Sequence, residues 1–88
     1  MTNWKIDEYG NKTFTHEGWT VTIWSADWSS RIHVESEERG VNVDISEEGV
    51  WVEGESSGGW EGPSPKAVNI PWAVLEAIFE AKREVFKA

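Results

Sequence analysis

The chain has 88 residues, 39% of them apolar, with sixteen Asp and Glu against eight Lys and Arg for a formal charge of −8. That length holds one domain, and the absence of cysteine excludes a disulfide framework, a thiolate zinc site and a cysteine nucleophile. No apolar run approaches the ~18 residues of a membrane span, and no basic-then-apolar N-terminus suggests a secretory signal, so a cytoplasmic protein with no membrane partner is expected.

Residues 1–54 read as a succession of short strands: Trp4–Glu8, Lys12–Thr15, Trp19–Trp24, Arg31–Glu35, Val41–Ile45 and Val50–Gly54. In the last four, β-branched residues alternate with polar ones, as half-buried strands require. Trp19, Val21 and Ile23 fall on one face, with Ile32, Val34, Val41, Val43, Ile45, Val50 and Val52 continuing it. Gly10-Asn11 suits a two-residue hairpin loop. The runs ending in Gly18, Gly40 and Gly49 suit three-residue loops closed by a left-handed glycine. Ser25–Ser30 is a longer connection that carries Trp28.

Residues 55–68 form a loop rich in Gly, Ser and Pro, with Trp60 in its middle. A helix is predicted over 69–87, capped by Asn69, with Pro71 in its first turn. Val74, Leu75, Ile78, Phe79, Val85 and Phe86 make its apolar stripe, while Lys82, Arg83 and Lys87 near its end suit the helix dipole. The predicted fold class is α+β: an antiparallel β-meander of five to six strands, forming a curled sheet, with one C-terminal α-helix packed on its apolar face.

Dimensions add a constraint. A helix of about seventeen residues is ~25 Å long but only ~10 Å wide. Six strands at ~4.8 Å make a sheet ~24 Å across. One helix leaves part of such a face uncovered. Trp60, Trp72 and the loop can cover some of the remainder; the rest calls for a barrel-like curl or a second copy of the chain, and a homodimer is the expectation.

Catalytic signals are weak. Gly54-Glu55-Ser56-Ser57-Gly58 matches the letters of a nucleophile elbow, but no helix follows it directly and no His lies downstream. Asn11-Lys12-Thr13 matches a glycosylation sequon within a hairpin turn. The two histidines, His16 in a turn and His33 on the outer face, have no ligand spacing between them. The acids form no calcium-loop pattern, and no glycine loop suits a phosphate. Neither catalysis, nor a cofactor, nor a metal is expected.

The outer sheet face is more informative. Alternation places Thr13, Thr15, Thr20, Thr22 and Asn42 there, together with two large aromatics, Trp24 and Trp51. An aromatic on a polar sheet serves either as cross-strand packing or as an anchor for a partner. The partner-binding candidates are therefore Trp24, Trp51, Arg31, His33, Glu35, Asp44 and Glu53. Trp28 and Trp60 either extend this surface or fold back over the core. The chain carries seven Trp in all.

Charge selects among partners. Residues 1–62 hold four basic and thirteen acidic side chains, a net of −9, and residues 63–88 hold four basic and three acidic, a net of +1. Four strands followed by a helix is similar in topology to the Whirly and PUR-type single-strand binders, although no motif of theirs is present. That resemblance implies a nucleic-acid ligand, but a β region at −9 repels phosphate. The same acidity suits a basic protein surface. The reading is a small non-enzymatic protein-interaction module, with an inhibitor or nucleic-acid mimic of the bacteriophage kind as its sharper form. A Trp-based carbohydrate-binding module is the second reading, and a single-strand nucleic-acid binder the third.

Overall fold

The computed structural model describes residues 2–25, 31–54 and 68–86. Six strands form one antiparallel sheet in chain order: β1 (Lys5–Ile6), β2 (Lys12–His16), β3 (Trp19–Ile23), β4 (Ile32–Ser36), β5 (Val41–Ile45) and β6 (Val50–Gly54). The helix α1 spans Trp72–Val85 and packs against β2, β3 and β4. The α+β meander expected from the alternation is therefore the fold. All six strands join it, and the sheet stays open, with β1 and β6 as its edges.

The period-two pattern works as anticipated because one face is buried. Trp19, Val21, Ile23, Ile32, Val34, Val41, Val43 and Ile45 are buried together, and Val74, Ala77 and Ala81 of α1 complete this core. Val68 and Ile70, which lead into the helix, pack against it, as do Trp4 and Phe14. Trp4 and Phe14 meet with ring centroids 6.1 Å apart, and Phe14 stacks on His16 at 6.2 Å. His16 is thus the last residue of β2 rather than a turn residue. Polar ties hold the helix to the sheet edge: Lys12 pairs with Glu84, and the Thr2 hydroxyl donates to Glu80.

The loops are built differently from their sequence-based expectations, and register is the reason. The first hairpin turns through Glu8, Tyr9 and Gly10, not Gly10-Asn11. The Gly10 amide donates to the Asp7 carbonyl at 3.1 Å, and the Asp7 amide to the Asn11 carbonyl at 3.0 Å. Asp7 organises the turn, its Oδ1 accepting the amides of Tyr9 and Asn11 at 2.8 and 2.9 Å. His16 pairs with Trp19, which leaves a two-residue loop of Glu17 and Gly18, with φ of 45° and 85°. Positive φ at both central positions is the type I′ geometry that matches strand twist. Ser36 pairs with Val41, so four residues rather than three connect β4 to β5. The β5–β6 loop is two residues, Glu47 and Glu48, closed by the Ser46 amide donating to the Gly49 carbonyl at 2.9 Å. Gly49 needs no left-handed conformation there.

Two helix expectations are also corrected. Pro71, extended at φ −60° and ψ 149°, is the N-cap in place of Asn69, and no side chain caps the helix. Proline disfavours helical backbone at Ile70, and the extended ψ of Pro71 itself makes Trp72 the first helical residue. Its carbonyl accepts from the amides of Val74 and Leu75 at 3.0 and 3.1 Å. Phe79 leaves the stripe and is 54% exposed, while Ala77 and Ala81 face the sheet. Five residues past Val74 places Phe79 about 140° round the helix, whereas Ala77, Ile78 and Ala81 stay near the contact line. Trp72 is also exposed and covers none of the sheet. Trp28, Trp60 and Lys87 lie outside the described residues. No described helix is long and apolar enough to cross a membrane.

Candidate functional site

Register aligns the outer-face residues into transverse rows. Lys5, Thr13, Thr22, His33, Asp44 and Trp51 stand opposite one another in turn from β1 to β6. The neighbouring row runs Thr15, Thr20, Glu35, Asn42 and Glu53. Five of the seven candidate residues, His33, Glu35, Asp44, Trp51 and Glu53, thereby share two adjacent rows on three adjacent strands.

These side chains hold one another. His33 Nδ1 lies 2.8 Å from Asp44 Oδ1, and its Nε2 lies 3.8 Å from Glu35 Oε2. The imidazole is thus flanked by carboxylates from its own strand and from the next. On the edge strand, the Trp51 indole N–H donates to Glu53 Oε1 at 2.8 Å. Residues two apart on a strand share a face, so this bond orients the ring along the sheet surface. Trp51 remains 64% exposed. The arrangement presents an apolar ring face bordered by the carboxylates of Glu53 and Asp44.

Trp24 and Arg31 form a separate pair at the far end of β3 and β4. Their backbones continue the ladder, with the Trp24 amide donating to the Arg31 carbonyl at 2.8 Å. The Arg31 guanidinium turns back to the Trp24 carbonyl, with Nε and Nη2 at 3.3 and 3.1 Å. Trp24 is half-buried. Of the two outer-face aromatics, Trp51 is the one that stands out into solvent.

A concavity of about 700 Å³ lies at the other end of the sheet, where the β2–β3 and β4–β5 turns meet. Its lining includes His16, Trp19 and the carboxylates of Glu17, Glu35, Glu37 and Glu38. Glu35 connects it to the outer-face rows. The nearby cation, Arg39, is already engaged: it sits 5.5 Å from the Trp19 ring centroid, donates to the Glu17 carbonyl and Ser36 Oγ, and pairs with Glu38 at 2.8 Å. The sequence reading did not include Glu17, Glu37 and Glu38 in the site. Their signal was the run of acids in the two turns, which only the register brings side by side.

Among the described residues, no group of three or more His, Asp and Glu is placed to hold a metal ion. Two carboxylates elsewhere are perturbed. At Asp7 desolvation raises the pKa, but hydrogen bonds from Asn11, Tyr9 and Gly10 outweigh it and hold the group below its ordinary 3.8. At Glu80 the Thr2 hydroxyl lowers the pKa, with desolvation opposing and the Trp4 indole assisting, so the carboxyl lies below its ordinary 4.5. Both are structural ties, Asp7 in the β1–β2 turn and Glu80 on α1, away from the candidate residues of β4–β6. Comparison with known protein families, with curated proteins and with solved structures finds no match to this chain.

Proposed function

We propose that this protein is a small, non-enzymatic interaction module that binds a basic protein surface through the outer face of β4–β6. The observation that carries this reading is the exposed Trp51 ring, tethered by Glu53 and standing opposite Asp44 in the row that also holds His33. Exposed Trp is a strong anchor at protein interfaces because it contributes a large contact area for few rotatable bonds. Carboxylates around such an anchor steer and orient a cationic partner.

The concavity lined by Glu17, Glu35, Glu37 and Glu38 supports the same partner chemistry, since it can receive a Lys or Arg side chain. Carboxylates spread over a rigid sheet can also imitate the phosphates of a nucleic acid, so an inhibitor of a nucleic-acid-binding protein is the sharper form of the proposal. The ring face of Trp51 beside Glu53 would equally stack a sugar, which makes a carbohydrate module the second reading.

The test is affinity capture from lysate with elution by rising salt, comparing the wild type with Trp51→Ala and Asp44→Asn. The expected result is a stoichiometric basic protein that is released by salt and lost from both variants. Capture unaffected by salt or by either variant overturns the proposal. Binding to immobilised glycans that tolerates salt, quenches Trp fluorescence and disappears in Trp51→Ala supports the sugar reading instead.

A further inference from the structure

We propose that β6 is a self-association edge, with β6 of one copy pairing antiparallel with β6 of a second copy. This surface consists of the outer backbone edge of β6 and the inner-face side chains of Val50 and Val52, and it meets the proposed partner face only at Trp51 and Glu53. Substitutions at Val50 and Val52 leave both of those residues in place, so the two proposals fail separately.

The core ends one strand short of the sheet edge. On β5, Val41, Val43 and Ile45 are at most 5% exposed. On β6, Val50 and Val52 point to the same face, opposite Ile45 and Val43, yet are 60% and 64% exposed. The helix packs chiefly on β2, β3 and β4.

Among the described residues, none pairs with the outer backbone edge of β6. In an antiparallel ladder, hydrogen-bonded pairs alternate with non-bonded ones. The Ser46–Gly49 bond sets the phase, so Trp51 and Glu53 direct their backbone groups toward β5. Val50, Val52 and Gly54 therefore direct their N–H and C=O groups toward the free edge. Natural sheets protect such edges with Lys, Pro, bulges or very short strands. β1, the opposite edge, is two residues long and carries Lys5. β6 is five residues long, Val-Trp-Val-Glu-Gly, with no Lys or Pro, and its one charge, Glu53, accepts the Trp51 indole N–H.

A second copy fits this edge. Antiparallel pairing with Val52 opposite Val52 of the partner subunit joins outward-directed backbone groups in phase along the whole strand. It sets Val50 against Gly54 of the partner subunit, and Trp51 against Glu53 of the partner subunit. No like charges face each other, and Trp51 meets the side-chain type to which its indole already donates within one chain. The two valine pairs become one apolar strip across the junction. The exposed parts of Val50, Trp51 and Val52 supply ~350 Å² per copy, or ~700 Å² for the pair, before the backbone edge is counted. That is the scale of a weak dimer, below the ~1,200 Å² of standard interfaces. The pair closes on itself and leaves only the short β1 edges outward.

Salt distinguishes this association from the partner face. Each chain carries a charge of −8, so two copies repel one another and screening strengthens their pairing. Binding to a basic partner weakens under the same change.

The experiment is sedimentation equilibrium of the full chain across the micromolar range, at low and high salt. The wild type is expected to move from one-copy to two-copy mass with concentration, more readily at high salt. V50K/V52K is expected to remain at one-copy mass with an unchanged circular dichroism spectrum. Val52→Pro, which removes an edge N–H and leaves the β5 ladder bonds alone, should do the same. A wild type at one-copy mass throughout overturns the proposal, as does a dimer that survives V50K/V52K or a mass that grows past two copies. Should the variants unfold, amide exchange on the wild type decides: Val50, Val52 and Gly54 must gain protection as concentration rises, and constant exchange overturns the pairing.

Discussion

Replacing Trp19 or Trp51 by Ala applies the same chemical change to opposite faces of the sheet. Trp19 is 1% exposed and sits in the core, with the Arg39 guanidinium over its ring. An indole removes ~200 Å² from water, worth about 5 kcal/mol at ~25 cal/mol per Å². Measured truncations of buried aromatics fall at ~3–5 kcal/mol. Trp51 is 64% exposed, so about a third of its surface, ~70 Å², leaves the protein contact on truncation, worth under ~2 kcal/mol. A domain of 88 residues has a total stability of about 4–13 kcal/mol. Trp19→Ala is therefore expected to remove a large share of it, and Trp51→Ala a small one. Urea unfolding followed by far-UV circular dichroism, fitted with a common slope, measures both. Equal losses, or a larger loss at Trp51, would refute the assignment of faces and with it the use of Trp51 as an anchor.

Other substitutions check individual contacts. Trp19→Phe should cost less than its lost volume implies, because the buried Trp19 Nε1 has no hydrogen-bond partner among the described residues and Phe removes that orphan donor; a loss as large as Trp19→Ala in the same denaturation assay would refute this. Gly18→Ala should destabilise by about 1–2 kcal/mol for the left-handed backbone, at φ 85°. The added Cβ would also lie 2.3 Å from Glu38 Oε1, so Glu38 must swing away and give up its pair with Arg39; a melting temperature equal to that of the wild type would contradict the type I′ turn. Asp7 and Glu80 have depressed pKa values when folded, so their contribution is present above the ordinary values of 3.8 and 4.5 and lost as pH falls through the folded ones. Asp7→Asn and Glu80→Gln should each reduce the acid dependence of unfolding, below about pH 4 for Asp7 and below about pH 5 for Glu80, and an unchanged pH profile for both would show that these bonds do not persist in solution.

The strands were legible because alternation is a local property. Val41–Ile45 and Val50–Gly54 follow directly from β-branched residues at every second position, and the same pattern places His33, Glu35, Asp44, Trp51 and Glu53 on the outer face. Turn lengths were less legible. A glycine before a strand marks a turn, but the number of residues in the loop depends on which residues pair across it. Hence Gly18 ends a two-residue loop and Gly40 a four-residue one. The helix stripe was legible in period but not in phase. Phe79 lies on the side of the helix away from Val74, and the close approach that alanine allows brings Ala77 and Ala81 against the sheet.

The fold class, the strand order of a meander joined by short turns, the polar character of one sheet face and the acidity of the β region were all readable along the chain. Tertiary structure alone decided which outer residues become neighbours, so that His33 lies between Glu35 and Asp44 while Arg31 turns back onto Trp24. It also decided that the acids of two separate turns line one concavity, and that the helix covers β2–β4 and leaves the valines of β6 in solvent. The physical reason is range. Backbone pleat and side-chain periodicity act between adjacent residues and can be read along the chain. Register, helix rotation and edge exposure result from contacts between residues far apart in sequence, and those are set only when the whole core packs.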